Sequence, residues 1–371
     1  MKIERVVLQR LRMPLKSPFE TSFGRMTVKD FILVFVYGEG AVGYGESVAM
    51  AYPFYNEETT ETVWYMLKQF LIPELFSQGV TVPEDVPRIF AHIRRNNMAK
   101  ASLECAIWDL YCKQKGISLA SALGGKKTTI DVGVSIGIEP TVDEVLQKVE
   151  RFLEEGYKKI KIKIAPGFDI EPVRAIRKHF GFDVPLMVDA NAAYNLEQID
   201  LFKELDQLGL IMIEQPLAHD DLVDHAKLQR ELQTPICLDE SIHSAEDARK
   251  AIELGSCRVI NIKIGRVGGL AEAKKIHDLC QEHRVPVWCG GMLESGVGRA
   301  HNIALASLDN FTIPGDTSAS SRYWEEDIVQ PEVELIGPGT LAVPTRPGIG
   351  YDINEKVSAK FTIRKEIFMA K

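Results

Sequence analysis

From Thr129 onward, short apolar runs alternate with amphipathic stretches at a steady interval. The apolar runs predict strands at Ile130–Ile138, Lys159–Ile164, Pro185–Ala190, Ile211–Gln215, Ile236–Asp239, Arg258–Lys263, Val285–Cys289 and Phe311–Pro314. The segments between them place apolar residues at helical spacing, as in Val142–Glu155, Ala245–Leu254 and Leu270–Glu282. Strand–helix alternation with short connections implies a parallel sheet. About eight strands in this span predict a closed (β/α) barrel of the α/β class. An open doubly wound sheet is the alternative, weakened because no G-x-G-x-x-G opens a helix after the first strand.

The pattern before Thr129 differs. Val6–Met13 and Asp30–Tyr37 read as β-rich runs separated by a turn-rich loop from Leu15 to Thr27. Helical patterns follow over Glu57–Leu75 and Lys100–Gln114. Strands followed by helices predict an α+β capping domain over residues 1–125, closed by Gly124-Gly125-Lys126. The barrel is then expected over 126–322. Residues 323–371, punctuated by Pro and Gly, are expected to pack back on the capping domain. A chain of 371 residues suits a barrel plus a smaller domain better than one small core.

Charge narrows the class of partner. Forty-four basic against 52 acidic residues leave a net charge of −8, which argues against nucleic acid and against anionic membrane surfaces. It leaves anionic small molecules open, because a local group of lysines or a metal ion reverses the field in one pocket. Cys105, Cys112, Cys237, Cys257, Cys280 and Cys289 form no C-x-x-C pair and sit in apolar segments. They read as reduced, buried thiols. Met1-Lys2-Ile3-Glu4-Arg5 opens into a strand-like pattern without the apolar core of a signal peptide, and no apolar run approaches a membrane span. The expected location is the cytoplasm.

The candidate chemistry lies where the inner strands end. Lys161-Ile162-Lys163, Asp189-Ala190-Asn191, Glu214-Gln215-Pro216, Asp239-Glu240 and Asn261-Ile262-Lys263 occupy successive strand ends. The steps 163→189→214→239→263 are 26, 25, 25 and 24 residues, each about one βα unit. Barrel active sites form at the C-terminal strand ends, where charged groups are wetted and converge. Asp189, Glu214 and Asp239 would make an all-oxygen site without histidine or cysteine ligands. That donor set points to Mg²⁺, with Mn²⁺ as a substitute. Lys161 and Lys163, two apart, share one strand face, and Lys263 comes from beyond Asp239. A lysine near a cation has its neutral form favoured and becomes a usable base. The implied reaction is removal of the proton next to a substrate carboxylate, with the metal stabilising the enediolate. A single acid at a strand end is usually a cap and a single lysine is usually solvated; five in register are hard to produce by chance.

Other features carry less. Gly265-Arg266-Val267-Gly268-Gly269 reads as a tight turn before a helix more than as an anion cradle. Gly290-Gly291-Met292-Leu293-Glu294 allows close backbone approach to a ligand. Ser135, on the small-residue face of Gly133, Ser135 and Gly137, either binds substrate or makes room. His219, His225 and His301 read as structural. Phe19, Phe23, Tyr52, Phe54 and Tyr55 sit in loops of the first domain that either close as a lid or pack locally.

As a set, Lys161-x-Lys163, Asp189-Ala190-Asn191, Glu214-Gln215-Pro216, Asp239-Glu240-Ser241 and Lys263 resemble the enolase superfamily, muconate-lactonising subgroup, over nearly the full length. Lysine or histidine bases acting with Mg²⁺ on an enediolate are known for that superfamily. Its fold is a modified TIM barrel with a capping domain. Mandelate-racemase-like members carry a catalytic histidine at the seventh strand end, where this chain has Trp288-Cys289-Gly290-Gly291. Dipeptide epimerases carry Asp-x-Asp after the eighth, where it has Asp316-Thr317-Ser318. Met98-Ala99-Lys100-Ala101, Gly290-Gly291-Met292-Leu293-Glu294-Ser295-Gly296 and Pro314-Gly315-Asp316 are similar to the o-succinylbenzoate synthase and N-succinylamino acid racemase family.

That resemblance implies Lys163 and Lys263 as catalytic residues and Asp189, Glu214 and Asp239 as metal ligands. Substrate contacts are implied at Ser135, Lys161, Asn191, Gly291, Met292, Tyr55 and Phe19, with support from Glu240, Asn261 and Arg266. The expected partner is a small carboxylate, in a homo-oligomer. The implied activity is the dehydration of menaquinone biosynthesis, with N-acylamino acid racemisation by two lysines as the alternative. A non-catalytic carboxylate-binding barrel is the remote third.

Overall fold

The computed structural model describes residues 1–370. Three antiparallel strands open the chain: β1 (Arg5–Thr21), β2 (Gly24–Gly38) and β3 (Ala41–Ser47). A short β4 (Thr129–Asp131) follows the capping helices. The parallel sheet comes next: β5 (Val134–Ile136), β6 (Ile160–Lys163), β7 (Leu186–Asp189), β8 (Ile213–Glu214), β9 (Ile236–Leu238), β10 (Val259–Ile262) and β11 (Val287–Cys289). The tail adds β12 (Val329–Gln330), β13 (Thr340–Ala342), β14 (Asp352–Ile353) and β15 (Thr362–Met369).

The capping sheet has the order β15-β1-β2-β3, so the chain's last strand returns to pair with its first. Both faces of this sheet are apolar. Val6, Leu8, Ile32, Val34 and Val36 face the capping helices, whereas Val7, Leu11, Phe31, Leu33 and Phe35 join the core that continues into the barrel. The expected loop Leu15–Thr27 is instead the far end of the β1–β2 hairpin, with Phe19↔Met26, Glu20↔Arg25 and Thr21↔Gly24 paired. The register breaks between Pro14 and Phe19, where Pro14 and Pro18 withhold ladder donors and shift the strand without ending it. The expected helix Glu57–Leu75 is also divided. It starts at Thr60, and a π turn at Leu67–Leu71 precedes a helix from Ile72, where Pro73 has no N–H to give the preceding turn.

The seven parallel strands run in the order β11-β10-β9-β8-β7-β6-β5. Closure comes from an irregular eighth place: Phe311 bridges to Val287, and Gly315 bridges to Val132. The expected first strand Ile130–Ile138 is split, because β4 turns away to pair antiparallel with β13 while β5 enters the barrel. The predicted helices between strands appear at Val142–Glu154, Ala245–Leu254 and Leu270–Glu282. Among the described residues no helix is long and apolar enough to cross a membrane, and all six cysteines are free and buried.

Three buried glutamates fasten the capping elements. Glu58 accepts from Met98 N (2.8 Å) and Ala99 N (3.0 Å) at the start of the helix Asn97–Lys115. From within that helix, Glu104 reaches the barrel helix Leu270–Glu282 and accepts from Leu270 N (2.6 Å) and Ala271 N (2.9 Å). Gly269 leaves room for it, since a Cβ there would lie 2.2 Å from Glu104 Oε2. Glu46, on β3, accepts from Ser295 N (3.1 Å) and Gly298 N (3.0 Å) at the barrel helix Gly296–Ala306. Each carboxylate thus satisfies helix N–H groups that have no partner in their own helix.

Burial pushes each of these carboxyls from an ordinary value of 4.5 up to about 7. The folded protein therefore binds more protons than the unfolded chain between those values, and stability falls as pH rises through that window. Urea unfolding from about pH 5 to pH 8 is expected to show this decline, and Glu104→Gln should make it shallower. An identical slope in the variant would remove Glu104 from the account.

Candidate active site

Parallel register aligns the chemistry. Lys163 on β6 lies opposite Asp189 on β7, which lies opposite Glu214 on β8. Glu214 lies opposite Cys237 on β9, and Asp239 follows two residues later on the same pleat face. Lys263 comes directly after β10. Lys159, Lys161 and Lys163 alternate along one strand and share one side chain direction, into the barrel.

These charges are buried and paired. Lys163 Nζ donates to Asp189 Oδ2 (2.5 Å) and Asn191 Oδ1 (2.7 Å). Lys161 Nζ donates to Glu214 Oε2 (3.1 Å) and forms an ion pair with Asp316 Oδ2 (2.5 Å). Lys263 Nζ donates to Asp239 Oδ2 (2.7 Å). The other oxygen of Asp239 accepts from Tyr55 Oη (3.0 Å) and from Arg266. Arg266 also donates to the carbonyls of Ile242 and Asn261. Asn261 Nδ2 donates to Glu214 Oε1 (2.7 Å), and Asn191 Nδ2 to Glu240 Oε1 (2.9 Å).

The two lysines are shifted in opposite directions. Burial holds Lys163 below the ordinary lysine range, and the nearby Asp189 only partly offsets it. Burial also opposes the charge of Lys263, but Tyr55, Glu214, Glu240 and Asp189 outweigh it and hold that ammonium above the range. Lys161 is likewise held high, with Asp316, Glu214 and Asp189 overcoming burial. Burial, and then Asp189, pushes Glu240 up to about 7.

A cavity of about 270 Å³ opens over this array. Lys161, Lys163, Lys263, Asn191 and Asp316 line its charged side. Ser135, Gly291, Met292, Tyr55 and Phe19 also line it, as does Phe23 from the hairpin end. Tyr52 and Phe54 stack at 5.5 Å on its rim and are 65% and 56% exposed. Ser135 Oγ is buried without a protein partner, so it has hydrogen-bonding capacity to offer a ligand. Asp189, Glu214, Asp239, Glu240, Asn261 and Arg266 are buried beside the cavity without lining it. The Tyr55 hydroxyl points at Asp239, leaving its ring to face the cavity. Gly290 has to be glycine on packing grounds, since a Cβ would lie 2.3 Å from Asn261 Oδ1. The loop Gly265–Gly269 forms one short helical turn, Ile264–Val267, ending at Gly268 with φ 98°.

As the side chains are turned, no three acidic, histidine or cysteine groups among the described residues enclose an ion. Lys163 and Lys263 draw Asp189 and Asp239 to themselves. The donor chemistry nevertheless fits a divalent cation: three carboxylates at adjacent strand ends supply hard oxygens, and Glu240 Oε2 is buried without a partner.

Residues 2–124 match the family described as mandelate racemase / muconate lactonizing enzyme, N-terminal domain, and residues 144–357 match the one described as enolase C-terminal domain-like. The chain belongs to the enolase superfamily. It is 59% identical over 367 residues to an o-succinylbenzoate synthase of Geobacillus kaustophilus, covering 99% of this chain and 97% of the relative. It is 50% identical over 353 residues to an N-succinylamino acid racemase of Thermus thermophilus, covering 95% of each. An enolase-superfamily structure from Listeria innocua superposes with a TM-score of 0.96 at 46% identity, covering 100% of both chains. Enolase-superfamily enzymes of this kind use a divalent metal.

Two charged residues of the array escaped the sequence reading. Lys159 is fully buried and lies 3.5 Å from the Trp288 ring centroid. It was legible as the third lysine of the same strand face. Asp316, 3.1 Å from Lys159 and 2.5 Å from Lys161, follows the expected strand Phe311–Pro314 and was legible only as part of the Pro314-Gly315-Asp316 motif, without a role. Removing it would take the carboxylate partner from buried Lys159 and one of three from Lys161. Asp316→Ala is expected to destabilise the fold by about 3–5 kcal/mol in urea unfolding, and a loss near zero would show that other groups compensate.

Proposed function

We propose that this enzyme is an o-succinylbenzoate synthase. It would remove water from 2-succinyl-6-hydroxy-2,4-cyclohexadiene-1-carboxylate, a step of menaquinone biosynthesis in the cytoplasm. The observation that carries the reading is the pair of buried lysines, four places apart in the strand order, that line one cavity beside three strand-end carboxylates.

Asp189, Glu214 and Asp239 would hold Mg²⁺, with Mn²⁺ as a substitute. When bound, the ion supplies fixed positive charge beside the substrate carboxylate. The chain's own residues do the proton chemistry. Lys163, whose neutral form is favoured by burial, takes the α-proton. As its conjugate acid it then returns that proton to the departing hydroxyl, which leaves as water as the new double bond forms. Both events occur on one face, so one lysine suffices. Lys263 stays charged and balances the enediolate from the other side. Ser135 and Asn191 orient the substrate, and Phe19 with Met292 shields it from water.

A second reading, racemisation of N-succinylamino acids, is favoured by Lys263 lining the same cavity as Lys163. There each lysine would serve one face of the α-carbon, one removing the proton and the other returning it.

In a side-by-side assay with Mg²⁺, dehydration should dominate racemisation in kcat/KM. Racemisation equal to or above dehydration would replace the synthase reading with a racemase or a bifunctional enzyme. Lys163→Ala should lower dehydration about 10²- to 10⁴-fold. A non-catalytic barrel would show no wild-type α-proton exchange. Asp189→Asn, Glu214→Gln and Asp239→Asn should each weaken metal binding and abolish activity while the fold survives; an unchanged rate in any one would sink the ligand set. Because the base must be neutral, kcat/KM should rise with pH through a pKa below the ordinary 10.5 of lysine.

A further inference from the structure

The two lysines are held by different parts of the molecule. Lys163 Nζ donates to the barrel side chains Asp189 and Asn191, and the capping hairpin meets this side through Ser22 Oγ, which donates to the Asn191 carbonyl (3.3 Å). Lys263 is paired with Asp239 and lines the cavity, and the Tyr55 ring centroid lies 4.5 Å from its Nζ. Tyr55 is only 6% exposed and packs in the core of the capping domain with Val48, Trp64, Met98 and Met292. Its hydroxyl donates to Asp239 Oδ1 (3.0 Å) and accepts from Arg266 Nη1 (3.1 Å). One capping side chain, together with Arg266, therefore holds the carboxylate that pairs with Lys263, and its ring borders the space that the ammonium can sweep.

We infer that Tyr55 is a positioning residue that couples the capping domain to the Lys263 half of the site. Its hydroxyl restricts Asp239 to one orientation, so Lys263 Nζ is aimed by Oδ2 while Oδ1 is occupied. Its ring gives the ammonium a π face in place of water. Tyr55 touches neither Lys163 nor its partners Asp189 and Asn191. Reactions that need proton transfer at Lys263 therefore depend on Tyr55 more than those confined to Lys163. Tyr55 would then weight the enzyme between one-face and two-face chemistry. This inference rests on the two-lysine reading of the cavity given above.

The test is α-proton exchange of the separate enantiomers of an N-succinylamino acid in D₂O at saturating Mg²⁺. Lys163→Ala and Lys263→Ala assign each enantiomer to its lysine. Tyr55→Phe keeps the ring and removes the hydroxyl. It should lower exchange on the Lys263 face about 10- to 100-fold more than on the Lys163 face. A second readout needs neither activity nor metal. In the metal-free protein, Tyr55→Leu should speed labelling of Lys263 by trinitrobenzenesulfonate, mapped by peptide mass spectrometry, and leave labelling of Lys163 unchanged. Equal losses on the two faces, or equal labelling changes at the two lysines, would overturn the inference alone. A wild type that exchanges neither enantiomer would overturn the two-lysine reading and this inference with it.

Discussion

An ammonium group cannot be left unpaired inside a barrel, and that constraint organises this molecule. Strand geometry points Lys159, Lys161 and Lys163 into the same interior. Burying each costs several kcal/mol unless a counter-charge meets it. The counter-charges arrive from neighbouring strand ends in depth order. Lys159 lies deepest, against Trp288 and beside Asp316. Lys161 sits among Asp316, Glu214 and Asp189. Lys163 reaches the cavity with Asp189 and Asn191. The structural pairing and the chemical site are therefore the same object.

The pairing is uneven, and the unevenness is what the chemistry uses. Lys163 has one close carboxylate and is pulled toward neutrality by burial. Lys263 feels several acidic groups at once and stays charged. A barrel with two equivalent lysines would suit symmetric proton exchange. Here the two are shifted in opposite directions, an inequivalence on which the proposed one-face elimination draws. Both synthases and racemases occur among relatives of high similarity.

The capping domain takes part through buried polar contacts as well as apolar packing. Glu46 and Glu104 complete barrel helices, and Lys29 donates to the Met292 carbonyl (2.8 Å) beside the cavity. Unsatisfied helix N–H groups and buried carboxylates are each costly alone and cancel together. The cap is thus held at a defined angle over the mouth, and it brings Tyr55 and the aromatic rim with it.

The short apolar runs and their repeat of about 25 residues were enough to read the barrel, because parallel βα units bury whole strands and leave charge at their ends. The enzyme family was legible in Lys161-x-Lys163, Asp189, Glu214, Asp239 and Lys263, since those residues are spaced by the fold itself. Local pattern failed where a long-range partner overrode it. Leu15–Thr27 looked like a loop but lies in a hairpin that the β2 ladder extends. Ile130–Ile138 looked continuous but is divided between β13 and the barrel. Asp316 and the orientation of Tyr55 were out of reach for the same reason. Their partners lie 155 (316−161) and 184 residues away in the chain, and only tertiary packing brings such charges within hydrogen-bond distance.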